Sequence, residues 1–96
     1  ANQQPRLIDL TTNRSFPITK AQIVMGRALS SDIAIEDLNV SRTHAEIRRE
    51  NANAWSVADL GSTNGTLVNG RHIASTMLQE GDRITVGATT FLFTFR

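Results

Sequence analysis

The stretch that decides the fold is Thr89-Thr90-Phe91-Leu92-Phe93-Thr94-Phe95. Phenylalanine occupies every second position of its C-terminal part, and side chains two residues apart lie on the same face of an extended strand. We therefore expect a strand over Thr89 to Phe95 that packs its three phenylalanines into a hydrophobic core.

Three shorter runs upstream repeat this alternation, each with two apolar side chains on one face. The pairs are Ala45 with Ile47, Trp55 with Val57, and Ile84 with Val86. Turn-forming residues separate the runs, among them Asn69-Gly70, whose left-handed preference suits a tight hairpin. Many short strands at close spacing predict an all-β protein, a sandwich or a barrel.

The chain of 96 residues is near the common size of one domain. Residues 1–5 are polar and end in proline, so we expect a disordered lead-in or linker remnant there and a domain over 6–96. The stretch 30–39 is weakly patterned, with one short strand around Ile33 to Ile35, and is a candidate functional loop. Because the sequence lacks an initiator methionine, we expect one module of a larger polypeptide.

The composition excludes several classes of function. Ten Lys and Arg against nine Asp and Glu give a net charge of +1, too little for a nonspecific nucleic-acid binder. Apolar runs are too short to span a bilayer, so we expect no membrane insertion. The absence of cysteine removes disulfides and thiolate metal sites, and fits a reducing cytoplasm. We expect no cofactor and no metal.

Three polar segments stand beside predicted strand ends and carry the candidate chemistry. They are Gly26-Arg27, Val40 to Ala45, and Leu60 to Thr66. Guanidinium, hydroxyl and carboxamide groups are the donors that hydrogen-bond a phosphate dianion and an adjacent peptide backbone. Loops at one end of a sandwich can bring such segments together, and the set predicts binding rather than catalysis.

The order of these motifs resembles the forkhead-associated domain family from about Arg6 to Phe95. Its signature is present in five pieces, which are Gly26-Arg27, Ser41 to His44, Gly61 to Thr66, Val68-Asn69-Gly70 and Gly81-Asp82. The resemblance implies an antiparallel β-sandwich of about eleven short strands, with binding loops at one apex. It also implies recognition of phosphothreonine in an extended segment of a partner protein that a Ser/Thr kinase has phosphorylated.

The resemblance assigns roles to five side chains. Arg27, Ser41 and Thr63 would bind the phosphate, and Asn64 would bind peptide main chain beside it. Arg42 stands where some family members have asparagine, so its contact is open between phosphate, peptide backbone and a downstream acidic side chain.

Five further residues would support the site structurally, namely Gly26, His44, Gly61, Gly65 and Asn69. The three glycines would supply backbone geometry, since glycine reaches positive φ at little steric cost. His44 would tie the Ser41 loop to neighbouring turns, and Asn69 would brace the loop that carries Thr63.

Two other interpretations compete with this one. Ser41, His44 and Asp59 are the residue types of a hydrolase triad, but the chain has no Gly-x-Ser-x-Gly elbow, so we expect no enzyme. A scaffold or oligomerisation module of the same fold could bind through a strand edge without phosphate. The hydroxyls could also merely cap turns. The complete donor set favours a phosphate-dependent interaction module.

Overall fold

The computed structural model describes residues 4–96 and consists of two β-sheets packed face to face. The strands are β1 (Arg6–Asp9), β2 (Ser15–Pro17), β3 (Gln22–Gly26), β4 (Ile33–Ala34), β5 (Ala45–Asn51), β6 (Ala54–Asp59), β7 (Thr66–Val68), β8 (Arg71–Ile73), β9 (Ser75–Leu78), β10 (Arg83–Val86) and β11 (Thr89–Thr94). The predicted all-β sandwich of about eleven short strands is confirmed. Within residues 4–96, no helix is long and apolar enough to cross a membrane.

The two sheets have six and five strands. Their orders are β2-β1-β11-β10-β7-β8 and β4-β3-β5-β6-β9. Paired strands run antiparallel except β3 and β4, which are parallel where Met25 faces Ile33 and Gly26 faces Ala34. The loops over 27–44, 60–65 and 87–88 meet at one end of the sandwich, which we call the apex.

Alternation along the strands builds the core between the sheets. Phe91 and Phe93 of β11 are 1% and 0% exposed, as expected. Phe95 lies just beyond the end of β11 and is half-buried, with its ring edge-on to Phe93 at a centroid distance of 5.3 Å. Both members of each shorter alternating pair are buried as well. Full burial of such side chains contributes about 1.5–3 kcal/mol each, which fixes the strands that carry the apex loops.

Residues 4 and 5, which were expected to belong to the lead-in, contact the segment after β2. Residues 1–3 of the expected lead-in lie outside the described residues. Pro5 is buried, and its carbonyl accepts a 3.0 Å hydrogen bond from the amide of Ile18. The side chain of Gln4 donates to the Ile18 carbonyl at 3.2 Å. The Gln4 side chain and the Pro5 backbone thus form hydrogen bonds with this segment, while the domain boundary at residue 6 stays a prediction.

Candidate functional site

An open cleft of about 320 Å³ lies between the apex loops. Its lining consists of Arg27, Leu38, Val40, Ser41, Arg42, Thr63 and Asn64. The structure thus brings together all five side chains that the sequence predicts to bind phosphate or peptide. The lining contains two guanidinium groups and no carboxylate, so its charge favours an anionic ligand.

The hydroxyl of Ser41 is oriented by the loop that carries Thr63. The backbone N–H of Thr63 donates a 3.0 Å hydrogen bond to Ser41 Oγ. Because the oxygen accepts this bond, the hydroxyl proton of Ser41 remains available for another acceptor. Ser41 is half-buried and Thr63 is exposed, and both line the cleft. This bond therefore joins the backbone of Thr63 to the Ser41 side chain, and both residues contribute a hydroxyl to the cleft lining.

Arg27 is the first residue after β3 and is fixed at two points. Its backbone N–H donates to the Ser41 carbonyl at 3.0 Å, and its Nε donates to the Val40 carbonyl at 3.1 Å. Since Nε carries this bond and Arg27 lines the cleft, the Nη atoms remain for a ligand. A planar fork of this kind matches phosphate oxygens. The side chain is exposed but oriented, which lowers the entropy lost on binding.

Gly26 is required for close backbone approach. A Cβ at this position would lie 2.1 Å from the carbonyl oxygen of Arg42 and 2.8 Å from its carbonyl carbon. The expectation that Gly26 supplies positive φ is wrong, since it is not among the glycines in that conformation. Its hydrogen atom instead lets β3 pass directly beside the Ser41-Arg42 loop, where the Ala28 amide donates to the Arg42 carbonyl at 3.2 Å.

Gly61 and Gly65 do have positive φ, at 75° and 83°. These two residues turn the chain into and out of the loop that carries Thr63. A Cβ on Gly65 would also lie 2.8 Å from Nδ1 of His72, so this glycine meets both a conformational and a steric requirement.

His44 is fully buried beneath the cleft. Its Nδ1 accepts a 3.0 Å hydrogen bond from the Ser41 amide, and its Nε2 lies 2.8 Å from the carbonyl oxygen of Gly65. The neutral tautomer with a proton on Nε2 satisfies both bonds. The ring joins two apex loops, and since both nitrogens contact backbone atoms, the hydrolase triad with the Ser41 hydroxyl and Asp59 is not assembled.

Asp59 holds the loop that carries Thr63, a role that the sequence analysis missed. One carboxylate oxygen accepts from the amides of Gly61 and Ser62, each at 3.1 Å. The other accepts from the hydroxyls of Ser62 and Thr66, the latter at 2.8 Å. Burial raises the pKa of Asp59, but the hydrogen bonds from Ser62, Thr66 and Gly61 outweigh it, so the pKa lies below the ordinary 3.8. Aspartate two residues before glycine is the turn signal that could have revealed this.

Asp37 is a second anchor that sequence reasoning missed. Its Oδ1 accepts from the amide of Asn39 at 2.8 Å. Its Oδ2 accepts from the amide of Ala88 at 2.8 Å and the hydroxyl of Thr89 at 3.0 Å. The bond from the Asn39 amide is the largest cause that lowers the pKa of Asp37, with further bonds from Ala88 and Thr89 acting against the opposing effect of burial. The carboxylate therefore joins the 35–40 loop to the β10–β11 turn.

The loop that Asp37 anchors contacts two of the predicted ligand-binding side chains. The Asn39 carbonyl accepts a 2.7 Å hydrogen bond from Nδ2 of Asn64, and the Val40 carbonyl accepts the bond from Arg27. The carbonyl oxygen of the Asn64 side chain and the second proton of its amide remain for a ligand. Arg42 is exposed on the cleft, and its backbone carbonyl accepts the bond from the Ala28 amide.

Asn69 lies away from the site, at the opposite end of the sandwich. It has φ of 52° and forms the β7–β8 turn with Gly70, at 84°. Its Nδ2 donates to Asp82 and its Oδ1 accepts from the Arg83 amide, both at 3.0 Å. The expectation that Asn69 braces the loop carrying Thr63 is wrong, because the intervening strand β7 separates the two and the amide is bonded to the turn before β10.

The motif-bearing segment of the chain matches a known family. The model of the FHA domain matches residues 23–87, which include every residue that lines the cleft. This chain belongs to the FHA domain family.

Two curated relatives are named as a regulator and an inhibitor. "Glycogen accumulation regulator GarA" of Mycobacterium tuberculosis is 42% identical over 78 residues, which cover 81% of this chain and 48% of the relative. "Oxoglutarate dehydrogenase inhibitor" of Corynebacterium jeikeium is 41% identical over 78 residues, 81% of this chain and 54% of the relative. The chain spans about half the length of these curated relatives.

Solved FHA structures have the same fold. One, from a study of phosphothreonine-dependent FHA domain interactions, has a TM-score of 0.89 at 29% identity and covers 95% of each chain. Mycobacterium tuberculosis EmbR, solved in complex with a low affinity phosphopeptide, has a TM-score of 0.90 at 31% identity. That match covers 96% of this FHA domain and 24% of EmbR.

Proposed function

We propose that this FHA domain binds other proteins by holding a phosphothreonine in the apex cleft. The observation that carries the proposal is the convergence of Arg27, Ser41 and Thr63 on one carboxylate-free opening. The likeness to an EmbR structure that contains a phosphopeptide supports it.

A phosphorylated threonine would supply the hydrogen-bond acceptors that the donors of the cleft lack. A phosphothreonine carries about −1.5 to −2 charges near pH 7 and three strong acceptor oxygens. Arg27 would donate from its terminal nitrogens, and Ser41 and Thr63 would donate from the hydroxyls that they contribute to the cleft. An unmodified threonine would leave these donors unpaired at a cost of about 1–3 kcal/mol per desolvated group. Phosphorylation thus acts as the on switch.

Two side chains would hold the peptide that carries the phosphate. Asn64 keeps one amide proton and its carbonyl oxygen for peptide main chain, since its other donor is bonded to Asn39. Arg42 would contact phosphate, peptide backbone or a downstream acidic side chain. Neither contact is a step of catalysis, and we propose an interaction module rather than an enzyme.

The biological partner would be a protein phosphorylated on threonine by a Ser/Thr kinase, in the cytoplasm. The domain would act as one module of a larger polypeptide, as the greater length of its relatives supports.

Calorimetry with a library of phosphothreonine peptides, against the same peptides without phosphate, tests the proposal. We expect binding to the phosphorylated peptides alone, with Arg27→Ala weakening it about 100-fold because charge-assisted hydrogen bonds are worth about 1.5–3 kcal/mol each. Arg71→Ala is the matched control, since Arg71 is an exposed arginine on β8 beside the opposite turn. Equal affinity for both peptide forms would favour the phosphate-independent scaffold instead.

A further inference from the structure

The outer face of the six-stranded sheet carries a stripe of aliphatic and threonine side chains across β1, β11, β10 and β7. Residues directly opposite each other on paired strands share a face. The register pairs Ile8 with Leu92, and Thr85 with both Thr90 and Leu67. Each of these residues is half-buried and stands next to a buried core residue, so its side chain points away from the core. We refer to these five residues as the outer stripe.

The two threonines keep the middle of the outer stripe compatible with apolar contact. The hydroxyls of Thr85 and Thr90 hydrogen-bond to each other, with their oxygen atoms 3.0 Å apart. Covering a hydroxyl costs free energy chiefly when it loses a hydrogen bond to water and gains no partner. Because this pair keeps its mutual bond, a partner that covers the stripe loses little free energy there.

Basic side chains follow one border of the outer stripe. Arg83 is directly opposite Leu92, His72 is directly opposite Leu67, and Arg6 lies two residues before Ile8 on the same face of β1. The guanidinium of Arg6 donates to a backbone carbonyl at 2.7 Å and to a hydroxyl at 3.3 Å, and both of these oxygens are uncharged. The positive charge at this border is therefore not neutralised by these contacts.

The carboxylates of the described chain leave this border positive. Within residues 4–96, neither Arg6 nor Arg83 takes part in a side-chain ion pair. The carboxylate of Glu80 reaches this face at its corner, where it accepts from the Thr94 hydroxyl at 2.6 Å and the Phe95 amide at 2.8 Å. Acidic side chains of a partner would thus complement the charge beside the stripe.

The outer face of the five-stranded sheet has a different character. Arg48 lies 3.5 Å from the carboxylate of Glu46 on the same strand, so charges of opposite sign neutralise each other there. Met77 on β9 is an exposed large apolar side chain of that sheet. Arg48 and Met77 therefore provide matched positions for comparison with the outer stripe and its border.

The spacing of the outer stripe fits the turns of an α-helix. Neighbouring strands are about 4.8 Å apart, so the three steps from β1 to β7 cover about 14 Å. Side chains on one face of a helix recur once a turn, about every 5.4 Å. About three turns of an amphipathic helix would therefore place one apolar side chain near each strand of the stripe.

We propose that the outer stripe docks an amphipathic helix of a partner protein, with aliphatic side chains over the stripe and aspartate or glutamate along the border of Arg6 and Arg83. This surface lies outside the apex cleft, and the inference does not depend on recognition of phosphothreonine. The match of a one-sided basic border to acidic side chains, beside a stripe of helical spacing, carries the proposal.

The test adds helical peptides of about 18 residues, long enough to form a helix in isolation, to the isotope-labelled domain and follows its amide signals by NMR. Each peptide has leucine, isoleucine, methionine or phenylalanine along one face. That face is flanked by glutamate or, in the matched peptide, by lysine. We expect the glutamate peptides to shift the amide signals of Ile8, Leu67, Thr85 and Leu92. They should bind at least about fivefold tighter than the lysine peptides.

Two pairs of variants locate the contact. Arg83→Glu should weaken binding of the glutamate peptides about tenfold, since it brings like charges together. Arg48→Glu makes the same change of charge on the other sheet and should leave the affinity within about twofold, because distant charges are screened. Leu92→Ala should weaken binding about fivefold through lost apolar contact, and Met77→Ala is its matched control.

Four outcomes would overturn the proposal. The first is a set of shifts centred on Arg27 and Ser41 that disappears in Arg27→Ala, which would place the acidic peptides in the apex cleft. The second is equal affinity for glutamate and lysine peptides, or equal weakening by Arg83→Glu and Arg48→Glu. The third is shifts of the stripe amides when the domain alone is concentrated, which would identify a second copy of the chain as the occupant. The fourth is no shift on this face with any peptide.

Discussion

The carboxylate of Asp37 accepts a 3.0 Å hydrogen bond from the hydroxyl of Thr89, 52 residues further along the chain. This bond joins a loop beside the five-stranded sheet to the first residue of β11 in the other sheet. The same carboxylate holds the amide of Asn39, whose carbonyl accepts the bond from Asn64. The geometry of the apex cleft therefore depends on a contact between the two sheets.

Asp37→Ala should weaken phosphopeptide binding about tenfold without unfolding the domain. The substitution removes three accepted hydrogen bonds, each worth about 0.5–1.5 kcal/mol net, and releases the loop that orients Arg27 and Asn64. Calorimetry measures the affinity, and chemical denaturation measures the stability. Asp82→Ala is the matched control, since Asp82 also accepts bonds from a backbone amide and a side chain, but at the opposite end of the sandwich. Equal affinity in the two variants would contradict the positioning role.

Gly26→Ala should destabilise the domain by about 1–3 kcal/mol and reduce phosphopeptide affinity, as overpacking against fixed backbone does. The new methyl would meet the Arg42 carbonyl, which belongs to the backbone and has no rotamer to change. Gly81→Ala is an informative contrast, because Gly81 has φ of 85° and open space around it. That variant should lose about 1 kcal/mol of stability through strain alone and keep its affinity. Normal binding by Gly26→Ala would show that the loop carrying Arg42 can shift to accommodate the added methyl group.

The sequence predicted the strands well where short-range periodicity determines burial. Phe91 and Phe93 are buried because a strand alternates its faces, and this is a local rule. Asn69-Gly70 forms the expected left-handed turn for the same local reason. Such features need no knowledge of which strands pair.

The parts that the sequence did not predict depend on long-range pairing. Asp37 looked like one acid in a weakly patterned loop, and only the packing of Thr89 beside it reveals the anchor. Gly26 was expected to supply backbone geometry through positive φ, yet glycine is required there because a Cβ would meet the Arg42 carbonyl. Asn69 was assigned to the wrong loop because the order of motifs along the chain does not show at which end of β7 its side chain forms hydrogen bonds.

Ser41→Ala should cost more than Thr63→Val in both affinity and stability. Each removes one hydroxyl donor to the phosphate, worth about tenfold in affinity for a charge-assisted bond. Ser41→Ala also leaves the Thr63 amide without the acceptor that now holds it at 3.0 Å, whereas Thr63→Val keeps that bond. Calorimetry with one phosphothreonine peptide and thermal denaturation of both variants measure the difference. Ser75→Ala, on an exposed position of β9, controls for loss of a hydroxyl. Unchanged affinity in both variants would show that neither hydroxyl contacts the phosphate.

Asp59 should make the stability of the domain depend on pH in the acid range. Burial raises the pKa of this carboxyl, but the bonds from Ser62, Thr66 and Gly61 lower it further, so the folded value lies below 3.8. A depressed folded pKa gives stability that is present above the unfolded value and is lost as the pH falls through the folded one. We expect the free energy of unfolding to decline from about pH 5 downward and to be steady near neutrality.

The variant Thr66→Val distinguishes the contribution of Asp59 to the pH dependence of stability from the contributions of other carboxyl groups. Thr66 is fully buried and donates to Asp59 at 2.8 Å, and valine has a similar shape without the hydroxyl. With one donor fewer, the folded pKa of Asp59 rises toward its ordinary value, so the variant should be about 1 kcal/mol less stable at pH 7. It should also lose stability less steeply below about pH 5, because less proton uptake accompanies its unfolding. Urea titrations at several pH values measure both slopes, and parallel curves for the two proteins would show that the Thr66 bond does not control the protonation of Asp59.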